Sequence, residues 1–297
     1  MQAIGAPARP LWGVVLLALA GACAPPTPKQ ARSTAGQCRD ASACDVACKA
    51  GDQDGCVDLA TRLLYGKGVV QDAPRAAHLA AAACEHGSPR GCNLLAIQFE
   101  LGRGVTQDLE RARRMYQSLC DDGFAHGCAG MGWLYLDGKG VAKDHVAASS
   151  YLRRACERND GWGCGQLAAM YDRADGVPMD LPRALELAQR ACALGQPASC
   201  LYAGHRRLGD EARNETAAFG FYSKACEGGA SAGCYFAGRL SKSGRGTYAD
   251  ETRALAFFTR GCNEEELRCC LAAGVMYENG GAVEQRFERA RTLYQRA

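Results

Sequence analysis

Histidine is scarce in this chain, five in 297 residues with no His-x-His pair, so the clustered imidazole sets of catalytic zinc centres have little to be built from. One sign of charge does not dominate: 35 Lys and Arg face 32 Asp and Glu, interspersed along the chain, for a net charge of +3. The concentrated basic stripe that follows a phosphate backbone is missing, which excludes nucleic acid as the expected partner. Long apolar runs are missing too. The one extended stretch, Leu11 to Leu19, is too short to span a bilayer. Glycine-rich turns are present, but none continues into Gly-Lys-Ser/Thr or follows a strand pattern, which argues against a phosphate-cradling loop. No metal or cofactor is expected.

Cysteine, by contrast, is abundant: the chain has 18. Seven times a cysteine is followed by another eight positions later: Cys48 and Cys56, Cys84 and Cys92, Cys120 and Cys128, Cys156 and Cys164, Cys192 and Cys200, Cys226 and Cys234, Cys262 and Cys270. The first members are spaced 36, 36, 36, 36, 34 and 36 residues apart, a period that marks stacked supersecondary units. Zinc ligands normally pair across two to four residues, so this spacing reads as a ladder of structural disulfides in an oxidising compartment. Cys38 and Cys44 lie outside the rungs as a candidate pair of their own. Cys269 has no partner in the pattern and is expected to be a free or intermolecular thiol.

The N-terminus fits export. Arg9, the apolar run and Ala20-Gly21-Ala22-Cys23 have the layout of a signal ending in a lipobox-like site, with Cys23 the lipidated residue. Residues 1–22 are then a signal peptide, and 23–37, with Pro25, Pro26 and Pro28, a lipid-anchored flexible tether. Residues 38–54 form an N-terminal cap, and 55–297 seven repeats that start near 55, 91, 127, 163, 199, 233 and 269.

Aligned on the rungs, the repeats show two helices each. Three, four and seven positions after the second cysteine stand, for example, Leu59, Ala60 and Leu63, or Met131, Gly132 and Tyr135, which share one helical face. The column four later is all Ala or Gly (Ala60, Ala96, Gly132, Ala168, Gly204, Gly238, Gly274), which predicts a closely approaching helix. A glycine turn such as Gly102-Arg103-Gly104 ends this helix A. Asp72, Asp108, Asp144, Asp180, Asn214 and Asp250, twelve before the next first cysteine, are N-caps for helix B. Helix B carries Ala eight before that cysteine and Tyr116, Leu152, Tyr222, Phe258 or Tyr294 among the residues four before it. Repeat five departs from the pattern at Leu208 to Arg213, two residues short. The chain stops one residue short of an eighth first cysteine, so the last helix is unstapled and expected to fray first or to be covered by a partner.

These columns resemble the Sel1-like repeat, a relative of the tetratricopeptide repeat; Gly138-Lys139-Gly140-Val141 through Asp144, Ala148 and Tyr151-Leu152-Arg153-Arg154-Ala155-Cys156 is a close instance. Paired cysteines in every repeat are similar to the disulfide-bridged branch, the Helicobacter cysteine-rich proteins. The resemblance implies an all-α fold, a right-handed α/α superhelical solenoid, in a periplasmic, outer-membrane or secreted protein that binds a protein, a peptide or a cell-wall fragment, and touches the membrane only through its lipid anchor.

By analogy with tetratricopeptide packing, positions one, five and eight of helix A face a groove: Asn93, Ile97 and Glu100; Trp133 and Leu136; Asp172; His205; Tyr235, Arg239 and Lys242. The alternative that the cysteine-rich relatives imply is a β-lactam or peptidoglycan binder with weak β-lactamase activity. No Ser-x-x-Lys tetrad occurs to supply a serine nucleophile, so no catalytic residue is assigned.

Overall fold

Helix B starts where a side-chain oxygen is placed to catch a free amide. In the computed structural model, which describes residues 38–209, 213–281 and 283–297, Asp72, Asp108, Asp180, Asn214 and Asp250 each accept the N–H three residues on, and Asp144 accepts from Val146 and Ala147. Each bond satisfies a donor that the first helical turn leaves open. Pro74 and Pro182 sit in the first turn, where a missing amide costs nothing.

Fifteen helices and no strands occur among the described residues. A short α1 (Ala41–Lys49), tied by the disulfide between Cys38 and Cys44, precedes seven hairpins. These are α2 (Gln53–Tyr65) with α3 (Ala73–Glu85), α4 (Pro89–Leu101) with α5 (Leu109–Asp121), α6 (Ala125–Asp137) with α7 (His145–Glu157), and α8 (Gly161–Arg173) with α9 (Leu181–Ala193). Then follow α10 (Pro197–Gly209) with α11 (Glu215–Glu227), α12 (Ser231–Ser243) with α13 (Glu251–Asn263), and α14 (Leu267–Asn279) with α15 (Phe287–Arg296). Even-numbered helices are helix A of their repeats and odd-numbered ones helix B. Each packs on its chain neighbours, and α2 also on α4, α6 on α8 and α12 on α14. The result is an all-α, right-handed superhelical solenoid stapled by disulfides. Each helix A begins two residues before the expected repeat start; Asp52, Ser88 and Asp160, four before the second cysteine, cap α2, α4 and α8, while α6, α12 and α14 start at the same register without a side-chain cap.

All seven expected rungs are closed as disulfides. Cys48 is bonded to Cys56, Cys84 to Cys92, Cys120 to Cys128 and Cys156 to Cys164. Cys192 is bonded to Cys200, Cys226 to Cys234 and Cys262 to Cys270. Each joins the end of one helix B, or of α1, to the start of the next helix A, with Cα–Cα distances of 4.4 to 4.6 Å. Backbones come this close because of a column that the sequence reading passed over. Gly55, Gly91, Gly127, Gly163 and Gly233 precede the second cysteines Cys56, Cys92, Cys128, Cys164 and Cys234, and a Cβ on Gly127 would lie 2.5 Å from Leu119 Cβ and 2.7 Å from the Cys120 amide nitrogen. The expected close approach four positions after the second cysteine is of a different kind. There it is a side chain, not a helix backbone, that fills the gap: Leu152 over Gly132, Tyr222 over Gly204, Phe258 over Gly238 and Tyr294 over Gly274.

The last rung reverses the rung pattern. Cys269, just before Cys270, occupies the glycine position, and Gly261 stands opposite where the other repeats have Ala or Leu. Cys269 Sγ lies 2.5 Å from where a Gly261 Cβ would be. Cys269 is free, one of the two expected states, and it is fully buried, where it fills the core.

A second seam runs along the turns after helix A. A Cβ on Gly104 (φ +80) would run into Ala73 O, and one on Gly246 (φ +70) into Glu215 O. Each turn thus rests on the start of helix B of the preceding repeat, and only glycine allows both the contact and the left-handed backbone. The last helix, α15, has no side-chain cap and buries only Ala290 and Leu293, but Tyr294 Oη donates to Glu278 (2.6 Å) and Arg296 to Cys262 O (3.0 Å). The expected signal peptide, Cys23 and the tether, and the repeat-five turn at Asp210 to Ala212, lie outside the described residues.

Candidate functional site: two hollows along the helix A face

Positions one, five and eight after the second cysteine lie along one side of helix A, and some of them also meet helix B, as Glu100 meets Tyr116 of α5 and His205 meets Tyr222 of α11. In two stretches of the solenoid they open into hollows. The first, of ≈ 580 Å³, is lined by Asn93, Ile97 and Glu100 of α4, Trp133 of α6 and Trp162 of α8. Glu100 is buried and accepts from Tyr116 Oη (3.0 Å) and Trp133 Nε1 (2.9 Å), with Lys139 Nζ at 3.7 Å. Burial and the Glu100 charge push the Tyr116 hydroxyl pKa far above its ordinary value, so it remains a donor at any physiological pH. Lys139 also lies over the Trp133 ring at 5.1 Å, and Trp162 meets that ring edge-on at 6.0 Å. Trp133 is thus held at its edge by a carboxylate, flanked by Lys139 and Trp162, and stays partly exposed. On the far wall Asp160 caps α8 and stands 3.1 Å from His126.

The second hollow, of ≈ 720 Å³, is lined by Tyr235, Arg239 and Lys242 of α12 and Val275 of α14, over an aromatic floor of Tyr222, Phe236 and Phe258. Tyr222 and Phe236 stack at 5.0 Å, and the Tyr222 hydroxyl pairs with His205 Nδ1 at 2.9 Å. Burial and the Arg268 charge lower the His205 pKa, which keeps the ring neutral; burial pushes the Tyr222 hydroxyl up to about 12. Arg213 and Arg245 both pair with Glu215, and Arg268 with Glu266. Arg239 stacks over Tyr235 at 5.6 Å, and neither it nor Lys242 has a carboxylate partner among the described residues. Beside them Leu267, Leu271 and Val275, one stripe of α14, are 51%, 48% and 40% exposed.

Of the ten expected groove residues, Asn93, Ile97, Glu100 and Trp133 line the first hollow and Tyr235, Arg239 and Lys242 the second, with the His205 ring against the second floor at Phe236. Leu136 and Asp172 line neither: Leu136 packs into the core around α7 to α9, and Asp172 accepts from Tyr202 Oη at 2.6 Å. One column was missed. Two before the second cysteine stand His126 and Trp162, in the first hollow, and Arg268, over Tyr235. The signal was a lone aromatic, Trp162, in a column otherwise of Asp, Arg, His and Ala.

Among the described residues no group of three or more His, Cys, Asp and Glu stands together to hold a metal, and no helix is long and apolar enough to cross a membrane. The chain matches the Sel1 repeat over residues 53–88, 89–124, 125–160, 163–196, 198–229, 231–265 and 267–297. Among solved structures it is similar to a protective antigen of uropathogenic Escherichia coli (23% identity, TM-score 0.66, 86% of this chain and 56% of that one). It is also similar to a Sel1 repeat protein from Oxalobacter formigenes (21%, TM-score 0.60, 86% and 75%). Helicobacter pylori cysteine rich protein B matches at 28% identity over 46% of this chain and 97% of that one, with a TM-score of 0.36. The first two likenesses bear on the fold; this chain spans 56% of the length of the E. coli structure. No curated protein matches the chain.

Proposed function

Because the chain belongs to the Sel1 repeat family, we propose that it is an exported scaffold that holds an extended peptide segment of a partner along the helix A face of its solenoid. Stacked repeats make a long surface on which one segment can touch several units. The observation that carries this reading is the lining of both hollows by the same helix A positions, with a partly exposed aromatic ring braced in each: Trp133 against Glu100, Tyr235 against Arg268.

Eight disulfides fit an oxidising extracellular or periplasmic compartment. Export through residues 1–22, lipidation at Cys23 and a tether over 23–37 complete the proposal: a solenoid held at the cell envelope. The partner segment belongs to another envelope protein or to the peptide part of a cell-wall fragment. Binding in this reading involves no chemical step.

An arrayed peptide library probed with the wild-type protein and with the double variant carrying Trp133→Ala and Arg239→Glu tests it. Peptides that bind the wild type should fail to hold the variant, whose helical circular dichroism stays the same. Identical binding patterns would refute a role for these two hollows.

A further inference from the structure

The second hollow is more than a place for any peptide; its chemistry selects a class. Arg239 and Lys242 sit one helical turn apart on α12, both exposed and both without a carboxylate partner among the described residues. Neighbouring cations on the same rim, Arg213, Arg245 and Arg268, are each matched to a glutamate, Glu215 or Glu266. Charge compensation is therefore carried out for the neighbouring cations and left undone for these two. The unmatched pair stands above Tyr235, Phe236 and Phe258 and beside the exposed stripe Leu267, Leu271 and Val275.

From this juxtaposition we infer that the hollow between α10 and α14 binds an acidic segment of a protein partner, in which Asp or Glu alternates with Leu or Phe. This rests on the peptide-binding reading above and names the partner's chemistry. The carboxylates meet Arg239 and Lys242, and Arg239, stacked on Tyr235, keeps its planar fork fixed for a two-pronged contact. Apolar side chains of the segment cover Val275 and Leu271 and reach the partly exposed rings of Tyr235 and Phe236. Each contact alone is weak at an exposed rim; together they desolvate one another, which strengthens the ion pairs. An anionic membrane offers the same charge but is flat, and the aromatic floor lies at the bottom of a hollow that a flat surface does not enter.

Fluorescence anisotropy of three labelled peptides separates the outcomes: acidic Asp-Leu-Glu-Phe-Asp-Leu, neutral Asn-Leu-Gln-Phe-Asn-Leu and basic Lys-Leu-Arg-Phe-Lys-Leu. The acidic peptide should bind most tightly and weaken as salt rises, and the double change Arg239→Glu with Lys242→Glu should weaken it about tenfold or more. Both positions are exposed, and unchanged circular dichroism and melting would show that the variant folds. Preference for the neutral or basic peptide would overturn the acidic assignment while leaving the peptide scaffold standing; binding of none of the three, with the peptide array also blank, would overturn both. Displacement of the acidic peptide by phosphatidylglycerol vesicles would assign the hollow to a membrane surface instead.

Discussion

Gln98 lies fully buried on α4 with neither its amide oxygen nor its nitrogen hydrogen-bonded among the described residues. The same position six after the second cysteine is Leu134, Met170, Leu240 and Met276 in four other repeats, all buried, and the half-buried Arg62 and Arg206 in the remaining two. A buried amide without partners costs about 1–3 kcal/mol. Met has the same length and no polar demand. Gln98→Met should therefore raise the urea midpoint by an amount worth about 1–3 kcal/mol at unchanged slope. A lowered midpoint would mean that the amide has a partner that its present surroundings do not show.

At the scale of an element, the last rung is the informative case. Cys269 looked like a spare thiol because its column was not recognised. Periodicity identifies the faces of a helix but not the atom that each side chain meets, and the rung-glycine column is visible only once backbones are seen to touch there. With Gly261 opposite, Cys269 is half of a size exchange. Gly261→Ala should cost about 1–3 kcal/mol through overpacking against the sulfur, Cys269→Gly should cost stability through a void, and the double change should cost less than the sum. Strict additivity would contradict the exchange.

Thiol chemistry offers a parallel check on the same pair. Burial pushes the Cys269 thiol up to about 12, so little thiolate exists at neutral pH, and a thiol reagent should label Cys269 only in denaturant. The same limit applied to the small column four after the second cysteine, where close approach was legible but its cause, a ring such as Tyr222 over Gly204, was not. Helix B caps and rungs were legible, because Asp72, or Cys84 with Cys92, acts through its own side chain at a fixed spacing, whereas the helix A caps Asp52, Ser88 and Asp160 do not recur in every repeat and were missed.

For the whole molecule, a 36-residue unit is too small to hold its own core, and stability comes from stacking plus about 2.5 kcal/mol per rung in the chain-entropy account. Along the helix A face the chain varies: acidic and tryptophan-lined near α4 to α8, cationic and tyrosine-lined near α10 to α14. Which helix A positions border the hollows followed from the repeat register, whereas the split into two hollows did not, since Asp172 and Leu136 are taken up by neighbours. Hydrogen–deuterium exchange with and without the peptide Asp-Leu-Glu-Phe-Asp-Leu tests binding on the helix A face most directly. Slowed exchange in α12 and α14, with α11 and α13 changed less, is the predicted result; slowing confined to α11 and α13 would contradict it.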